Sequence, residues 1–119
     1  MKRILVVDDE KNIRILFRDE LEEAGYVVEL AESGTEALQK IEAAPPDLVI
    51  LDIRMADMTG IEVLQAMREK HKDLPVIMCT AVRGLKDDFA IWDGEVAAYL
   101  TKPVDLDDLK EKVKQVLPE

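Results

Sequence analysis

Five short apolar runs, separated by longer stretches of helical periodicity, recur along the whole sequence. The runs occupy residues 4–7, 27–30, 48–51, 76–79 and 97–100. Continuous apolar runs are typical of strands that are covered on both faces, and such strands are usually parallel. Their regular alternation with helical stretches predicts one α/β domain built around a parallel sheet.

The stretch after the first run has the spacing of an amphipathic helix. Ile13, Leu16, Phe17, Leu21 and Ala24 share one helical face, which we expect to pack on the sheet. Gly25 follows this face and is placed to cap the end of the helix, because glycine tolerates the left-handed conformation found there. The first interval between runs is therefore predicted to be a helix.

Local capping signals mark three further helix starts. Ser33 and Thr59 each begin the pattern Ser/Thr-x-x-Glu, which predicts a reciprocal capping box. Asp105 is a good N-cap for a last helix, whose apolar residues recur at helical spacing. A fifth helix is expected from about Leu85 to Gly94, although its apolar face is poorly defined.

Five strands and five helices suit a flavodoxin-like, doubly wound architecture with helices on both faces of the sheet. Right-handed crossovers make the strand order 2-1-3-4-5 the natural candidate. Periodicity alone leaves that order open. No linker, repeat or composition shift marks a second unit, so we expect residues 1–119 to form a single domain.

Composition narrows the functional classes. The net charge is −10 and no basic stripe is present, which argues against direct binding to nucleic acid. No segment approaches the roughly 20 apolar residues that span a bilayer, so no membrane association is expected. The single cysteine, Cys79, lies inside an apolar run and is predicted to be a buried, inert thiol. These features favour a cytoplasmic protein.

Residues that could take part in binding or catalysis follow four of the five apolar runs. Asp8 and Asp9 follow the first run, Asp52 the third, Thr80 the fourth, and Lys102 closely follows the fifth. Ligands of open α/β sheets bind outside the carboxyl ends of the strands, near the point where strand order reverses. In the order 2-1-3-4-5 the first and third strands are neighbours there, so the three aspartates are expected to converge.

Three converging carboxylates favour a metal-assisted phosphoryl site. Each pair of carboxylates repels by about 1 to 4 kcal/mol, depending on the local dielectric, unless a cation neutralises them. Mg²⁺ suits oxygen ligands and often binds phosphate as well. Lys102 and Thr80 could contact phosphoryl oxygens, and Asp52, the central carboxylate, is the candidate nucleophile. A lone aspartate at a strand end is usually a loop or cap residue, and only the joint occurrence favours this chemistry.

At these residues the sequence resembles the receiver domain of two-component response regulators, the CheY-like family. The resemblance rests on residues 6–10, 47–52, 80–81 and 99–103 and extends over essentially the whole chain. It implies a phosphoprotein in which Asp52 becomes a 4-aspartylphosphate, with the phosphoryl group supplied by a sensor histidine kinase or a histidine phosphotransfer protein. The chain would assist its own phosphorylation and dephosphorylation without being an enzyme.

The resemblance also implies roles for individual residues. Asp9, Asp52 and the backbone carbonyl of Arg54 would hold Mg²⁺, with Asp8 bound through water. Thr80 and Lys102 would contact the phosphoryl oxygens. Thr80 and Tyr99 would act as switch residues and reshape the surface of the fifth strand and its flanking helices for a downstream protein target. The Lys102–Pro103 bond is expected to be cis.

Other interpretations stay open at this point. A small Mg²⁺-dependent phosphohydrolase could use the same aspartate, but such enzymes typically carry a second acid two residues later, where this chain has Arg54. A flavin or nucleotide module is disfavoured because the acidic residues after the first run would repel phosphate. Within the receiver interpretation, the chain is either a stand-alone phosphorelay receiver or part of a longer DNA-binding regulator. A local likeness of residues 12–16 to sporulation-type receivers slightly favours the first.

Overall fold

The computed structural model describes residues 1–81 and 96–118, except for the side chain of Thr80. Five strands form one sheet with every neighbouring pair parallel. In chain order the strands are β1 (Arg3–Val7), β2 (Val27–Ala31), β3 (Leu48–Asp52), β4 (Val76–Thr80) and β5 (Ala98–Thr101). Their spatial order is β2-β1-β3-β4-β5, which confirms the predicted flavodoxin-like topology.

The helices of the described part lie between or after these strands. They are α1 (Lys11–Glu23), α2 (Gly34–Ala43), α3 (Gly60–Arg68) and α4 (Leu106–Val116). The helix predicted from about Leu85 to Gly94 lies outside the described residues. None of the helices in residues 1–81 and 96–118 is long and apolar enough to cross a bilayer.

Each face of the sheet has its own apolar core, because side chains along a strand alternate between the two faces. Ile4 and Val6 pack with buried residues of α1 and α4, whereas Leu5 and Val7 pack with buried residues of α2 and α3. Fully burying an aliphatic side chain of this size contributes about 1.5 to 3 kcal/mol. The two cores fix the helices against the sheet and so fix the loops at the strand ends.

The first helix differs from its predicted apolar face at Leu16 and at Ala24, which is exposed just after the helix ends. Phe17 and Leu21 are buried as expected, but Leu16 is 44% exposed. Leu16 borders an open groove with Pro103 and Val104, which come from the segment between β5 and α4. It therefore lies at the margin of the buried stripe, where helical spacing alone does not separate core from rim.

The helix caps confirm most local signals and correct one. Thr59 and Glu62 form the predicted reciprocal capping box at the start of α3. Ser33 accepts a hydrogen bond from the Glu36 N–H, but the Glu36 carboxylate accepts from the N–H of Glu32, so the predicted second box is only half formed. Gly25 has a φ of 102° just after α1, as its predicted capping role requires.

Candidate functional site

Two buried carboxylates lie at the carboxyl ends of adjacent strands. Asp52 is the last residue of β3, and Asp8 directly follows β1. Because β1 and β3 pair through Val7 and Leu51, these ends meet at the point where strand order reverses. Asp8 is 2% exposed and Asp52 is 5% exposed, although an ionised carboxylate loses much solvation on burial. Such groups require nearby positive charge or hydrogen-bond donors.

Lys102 supplies the positive charge. Its Nζ lies 2.8 Å from Asp8 Oδ2 and 3.3 Å from Asp52 Oδ2, and its side chain is largely buried. Lys102 follows β5, and β4 lies between β5 and β3, so the long side chain crosses over the end of β4. The Lys102–Pro103 peptide bond is cis, as predicted. The cation thus joins two carboxylates that stand 44 residues apart in the sequence.

The pKa values at the site follow from burial and mutual charge. Burial and the neighbouring charge of Asp8 raise the pKa of Asp52 to about 6, although Lys102 and a hydrogen bond from the backbone of Arg54 act to lower it. Burial acts to lower the pKa of Lys102, but its hydrogen bonds to the two aspartates and their charges outweigh burial and raise it. Lys102 therefore stays charged, while Asp52 keeps its proton up to about pH 6 when no further cation is present.

A second group of acids lies beside this ion pair. Carboxylate oxygens of Asp8, Asp9 and Glu10 lie within 4.8 Å of one another, and the last two side chains are exposed. The Glu10 N–H donates to Asp8 Oδ1 at 2.9 Å, which holds the loop after β1 in place. Oxygen donors at such spacing suit a hard divalent cation. Asp52 is not one of the three clustered acids and is connected to them through Lys102.

Glu10 is the member of this group that sequence reasoning did not select. Its Oε1 lies 3.9 Å from Lys102 Nζ, so it contributes negative charge to the same locality. Its position directly after the aspartate pair was the available signal. The expectation that ligands bind at strand ends selects only the first acidic residues after each apolar run. Glu10 lies one residue farther along, where the chain turns into α1.

The segment between β3 and α3, residues 53–59, carries the predicted ligand Arg54. A backbone hydrogen bond connects Arg54 to the Asp52 side chain. Where the segment ends, the Gly60 N–H donates to the Ile53 carbonyl at 2.7 Å. A Cβ at Gly60 would lie 2.2 Å from the Asp52 carbonyl oxygen, so only glycine allows α3 to begin this close to the candidate nucleophile.

The two predicted switch residues are observed to different extents. Thr80 ends β4 and pairs through its backbone with Thr101, and its side chain lies outside the described part of the structure. Tyr99 is partly buried in β5 and packs against the core on the α2 and α3 side. Burial raises the pKa of its phenol. The switch roles of both residues remain predictions.

Cys79 lies in β4 directly beside Asp52 in β3. It is a buried free thiol, which confirms the prediction from its apolar run. Burial raises its pKa to about 12, so it stays protonated and is a poor nucleophile. The chemistry at this strand end therefore depends on carboxylates and the lysine.

Comparison with known proteins identifies relatives along nearly the whole chain. The family model of the response regulator receiver domain matches residues 4–114. The response regulator MprA of Mycobacterium ulcerans is 38% identical over 115 residues, an alignment that covers 97% of this chain and 50% of that protein. MprA of Mycolicibacterium vanbaalenii is 39% identical with the same coverage. This chain thus spans about half the length of these curated relatives.

Solved structures give the same relationship in three dimensions. The response regulator TrrA of Thermotoga maritima, in complex with Mg²⁺–BeF, has a TM-score of 0.91 and 48% identity, covering 98% of this chain and 100% of that one. TrrA in complex with the histidine kinase ThkA has a TM-score of 0.89 at the same identity, covering 98% and 99%. The chemotaxis response regulator CheY4 of Vibrio cholerae has a TM-score of 0.92 at 34% identity, also covering 98% and 99%.

Proposed function

The chain belongs to the response regulator receiver domain family, and from this premise we propose that Asp52 accepts a phosphoryl group in two-component signalling. One observation carries the proposal: a buried carboxylate ends β3 and shares Lys102 with Asp8. The donor is the phosphohistidine of a sensor histidine kinase or a histidine phosphotransfer protein. The likeness to TrrA, which was solved in complex with a histidine kinase, supports this class of partner.

The transfer makes one bond as it breaks another. A carboxylate oxygen of Asp52 forms a P–O bond, and the P–N bond of the donor breaks, with its electron pair remaining on the imidazole nitrogen. Lys102 offsets negative charge on the phosphoryl oxygens from its position beside Asp52. The Thr80 hydroxyl would donate a hydrogen bond to another phosphoryl oxygen. The nucleophile must be ionised, so its raised pKa makes a neighbouring cation important.

The residues present fit a magnesium ion. Oxygen ligands from Asp9 and Asp52, together with the backbone carbonyl of Arg54, would hold it, with Asp8 binding through water. Glu10 adds negative charge beside Asp8 and Asp9. When bound, the ion neutralises the carboxylates and the charge that develops on the transferred group. TrrA was solved in complex with Mg²⁺–BeF, which supports this choice of cation.

Phosphorylation changes the charge at the site and thereby the contacts of the residues around it. The new group adds negative charge and acceptor oxygens to a site that one lysine already balances. Lys102 redistributes its contacts between Asp8, Asp52 and the phosphoryl group, and Thr80 and Tyr99 follow as switch residues. The altered surface around β5 then controls a downstream protein or passes the phosphate on.

We further propose that residues 1–119 act as one receiver unit in the cytoplasm. Its role is signalling rather than hydrolysis, because Arg54 stands where a phosphohydrolase of this type needs a second acid. The charge of −10 makes direct binding to nucleic acid by this chain unfavourable. Whether the phosphate is relayed or read by an output domain depends on the partner. Steady turnover of p-nitrophenyl phosphate would contradict the signalling assignment.

Intact-mass measurement after incubation with acetyl phosphate and Mg²⁺ tests the central claim. We expect one added phosphate in the parent chain and none in Asp52→Ala. Asp47→Ala is the matched control, since this exposed aspartate precedes the other end of β3. Addition of EDTA before the donor is expected to prevent modification. An unmodified parent chain, or a modified Asp52→Ala variant, would contradict the proposal.

A further inference from the structure

Asp57 joins the segment between β3 and α3 to the start of α2. Its Oδ1 accepts a hydrogen bond from the Gly34 N–H at 3.0 Å. Its Oδ2 accepts from the Thr35 N–H at 2.9 Å and from Thr35 Oγ1 at 2.7 Å. The partners are more than 20 residues away in sequence, so this is a tertiary contact and not a local turn. We call these three residues the Asp57 clasp.

The negative charge of Asp57 complements the partial positive charge at the start of α2. The first N–H groups of a helix have no partners within the helix and carry partial positive charge. Asp57 is exposed, yet the Thr35 hydroxyl and then the backbone N–H groups of Thr35 and Gly34 hold its pKa well below its usual range. The carboxylate is therefore ionised under any physiological condition, and the contact persists with it.

Apolar packing reinforces the same junction. Gly34 is buried at the start of α2, and a Cβ there would lie 2.2 Å from Met58 Cγ. Met58 is the neighbour of Asp57, so α2 begins directly against the segment that the clasp holds. A Cβ at position 34 would displace the Met58 side chain. Close packing and three hydrogen bonds thus act at the same junction.

Each of the two chain segments that the Asp57 clasp joins leads to the proposed cation site. Residues 53–59 contain Arg54, whose carbonyl is one of the proposed ligands. On the other side, α2 follows β2, and the carbonyl of Ala31 at the end of β2 accepts a hydrogen bond from the Asp8 N–H at 3.2 Å. The clasp therefore ties the backbone that carries Arg54 to the backbone beside Asp8. Asp8 and the Arg54 carbonyl must lie in register for one cation to be held by both, directly or through water.

We infer that Asp57 is a positioning residue for the cation site: through Gly34 and Thr35 it holds the Arg54 carbonyl in register with Asp8 before the cation binds. The inference rests on the proposed function, since it concerns the same cation. A loop that is ordered beforehand loses less conformational entropy on binding, so the site binds Mg²⁺ more tightly. Asp57 itself touches neither the cation nor the phosphoryl group.

Isothermal titration of the full chain with Mg²⁺ tests this inference. Asp57→Asn replaces an acceptor oxygen by a donor facing N–H groups and is expected to weaken Mg²⁺ affinity about tenfold, the usual scale for groups that orient metal ligands. Thr35→Val removes one hydrogen bond without changing charge and is expected to weaken it severalfold. The titrations are repeated in about 0.5 M NaCl, where the Debye length falls to roughly 4 Å. This suppresses any change in Mg²⁺ affinity that comes from the lost charge alone.

Ser33→Ala is the matched control. Ser33 caps the same helix by accepting from the Glu36 N–H and is not one of the residues of the Asp57 clasp. We expect it to lower the melting temperature of the metal-free chain as Asp57→Asn does, but to leave Mg²⁺ affinity within about twofold of the parent, since loss of an N-cap costs helix stability alone.

The outcomes separate this inference from the proposed function. Weaker binding in Asp57→Asn and Thr35→Val, with Ser33→Ala unchanged, supports the clasp. Parent-like affinity in Asp57→Asn overturns it, as does an equal loss in Ser33→Ala or an unchanged Thr35→Val. Should Asp57→Asn fail to fold, Thr35→Val decides alone. A parent chain that binds no Mg²⁺ would instead contradict the proposed function.

Discussion

Ionisation of Asp52 lowers the free energy of unfolding of the metal-free protein. Its pKa is about 6 in the folded chain against 3.8 for the free group, chiefly because it is buried and then because Asp8 is near. Between these two values the folded state binds more protons than the unfolded state, so this residue's contribution to stability falls as pH rises from about 4 to about 6. Above that range the full cost remains.

We therefore predict that Asp52→Asn stabilises the metal-free chain near neutral pH. The shift corresponds to a gain of roughly 3 kcal/mol in the free energy of unfolding at about pH 7, which shrinks toward zero near pH 4. Urea denaturation in EDTA at both pH values measures it. Asp47→Asn, at an exposed aspartate just before the other end of β3, is the matched control. A destabilised Asp52→Asn at neutral pH would mean that Lys102 outweighs burial and the charge of Asp8.

At the scale of elements, the start of α3 and the end of β3 are packed backbone to backbone. Gly60 is buried, and its N–H donates to the Ile53 carbonyl one residue beyond the candidate nucleophile. The position a Cβ would take overlaps the Asp52 carbonyl oxygen at 2.2 Å, and a carbonyl in a central strand cannot move aside without disturbing the ladder. The helix therefore reaches the site only because residue 60 has no side chain.

Gly60→Ala is predicted to lower both stability and phosphorylation. Overpacking of this kind costs about 1 to 3 kcal/mol, and the shift falls on the backbone of Asp52, so the rate of modification by acetyl phosphate should drop as well. Gly25→Ala is the matched control. Gly25 has a φ of 102° but nothing within 4 Å of its would-be Cβ, so alanine there strains the backbone by roughly 1 to 2 kcal/mol. It should leave the modification rate of the folded chain unchanged, whereas equal rates in both variants would argue against the Gly60 contact.

At the scale of the whole molecule, a net charge of −10 and a local group of three acids lead us to expect a fold that is sensitive to divalent cations. Like charges repel within the folded state, and an ion that binds there and not to the unfolded chain stabilises by mass action. We predict that Mg²⁺ at about 100 times its dissociation constant adds about 2.7 kcal/mol and raises Tm by roughly 10 °C. Differential scanning calorimetry with and without EDTA measures the shift.

The cation effect should depend on the acids at the site rather than on charge in general. Asp9→Asn is expected to abolish most of the Mg²⁺-dependent rise, because Asp9 is an exposed member of the carboxylate group. Asp47→Asn removes the same charge away from that group and should retain the rise. An equal response in both variants would indicate nonspecific screening of the acidic surface.

Most of the architecture was predictable from sequence because its signals are local. Continuous apolar runs marked both ends of all five strands to within one residue, and the caps at Thr59 and Asp105 formed as expected. The strand order, which periodicity left open, is the one that right-handed crossovers favour. Leu16 was misassigned to the core, because a helical face has no sharp edge in sequence and the position of the β5–α4 segment decides what it covers.

The sequence by itself determined which side chains stand at the strand ends, because a strand's end and the residue after it are adjacent in the chain. Asp8, Asp52 and Lys102 were found in this way. Only the tertiary structure decided which of these groups contact one another. Lys102 bridges both acids across β4, and Glu10 joins the acidic group. The Asp57 contact to α2 had no sequence signal either. Such contacts join residues far apart in the chain, and only the packing of helices on the sheet sets the distance between them.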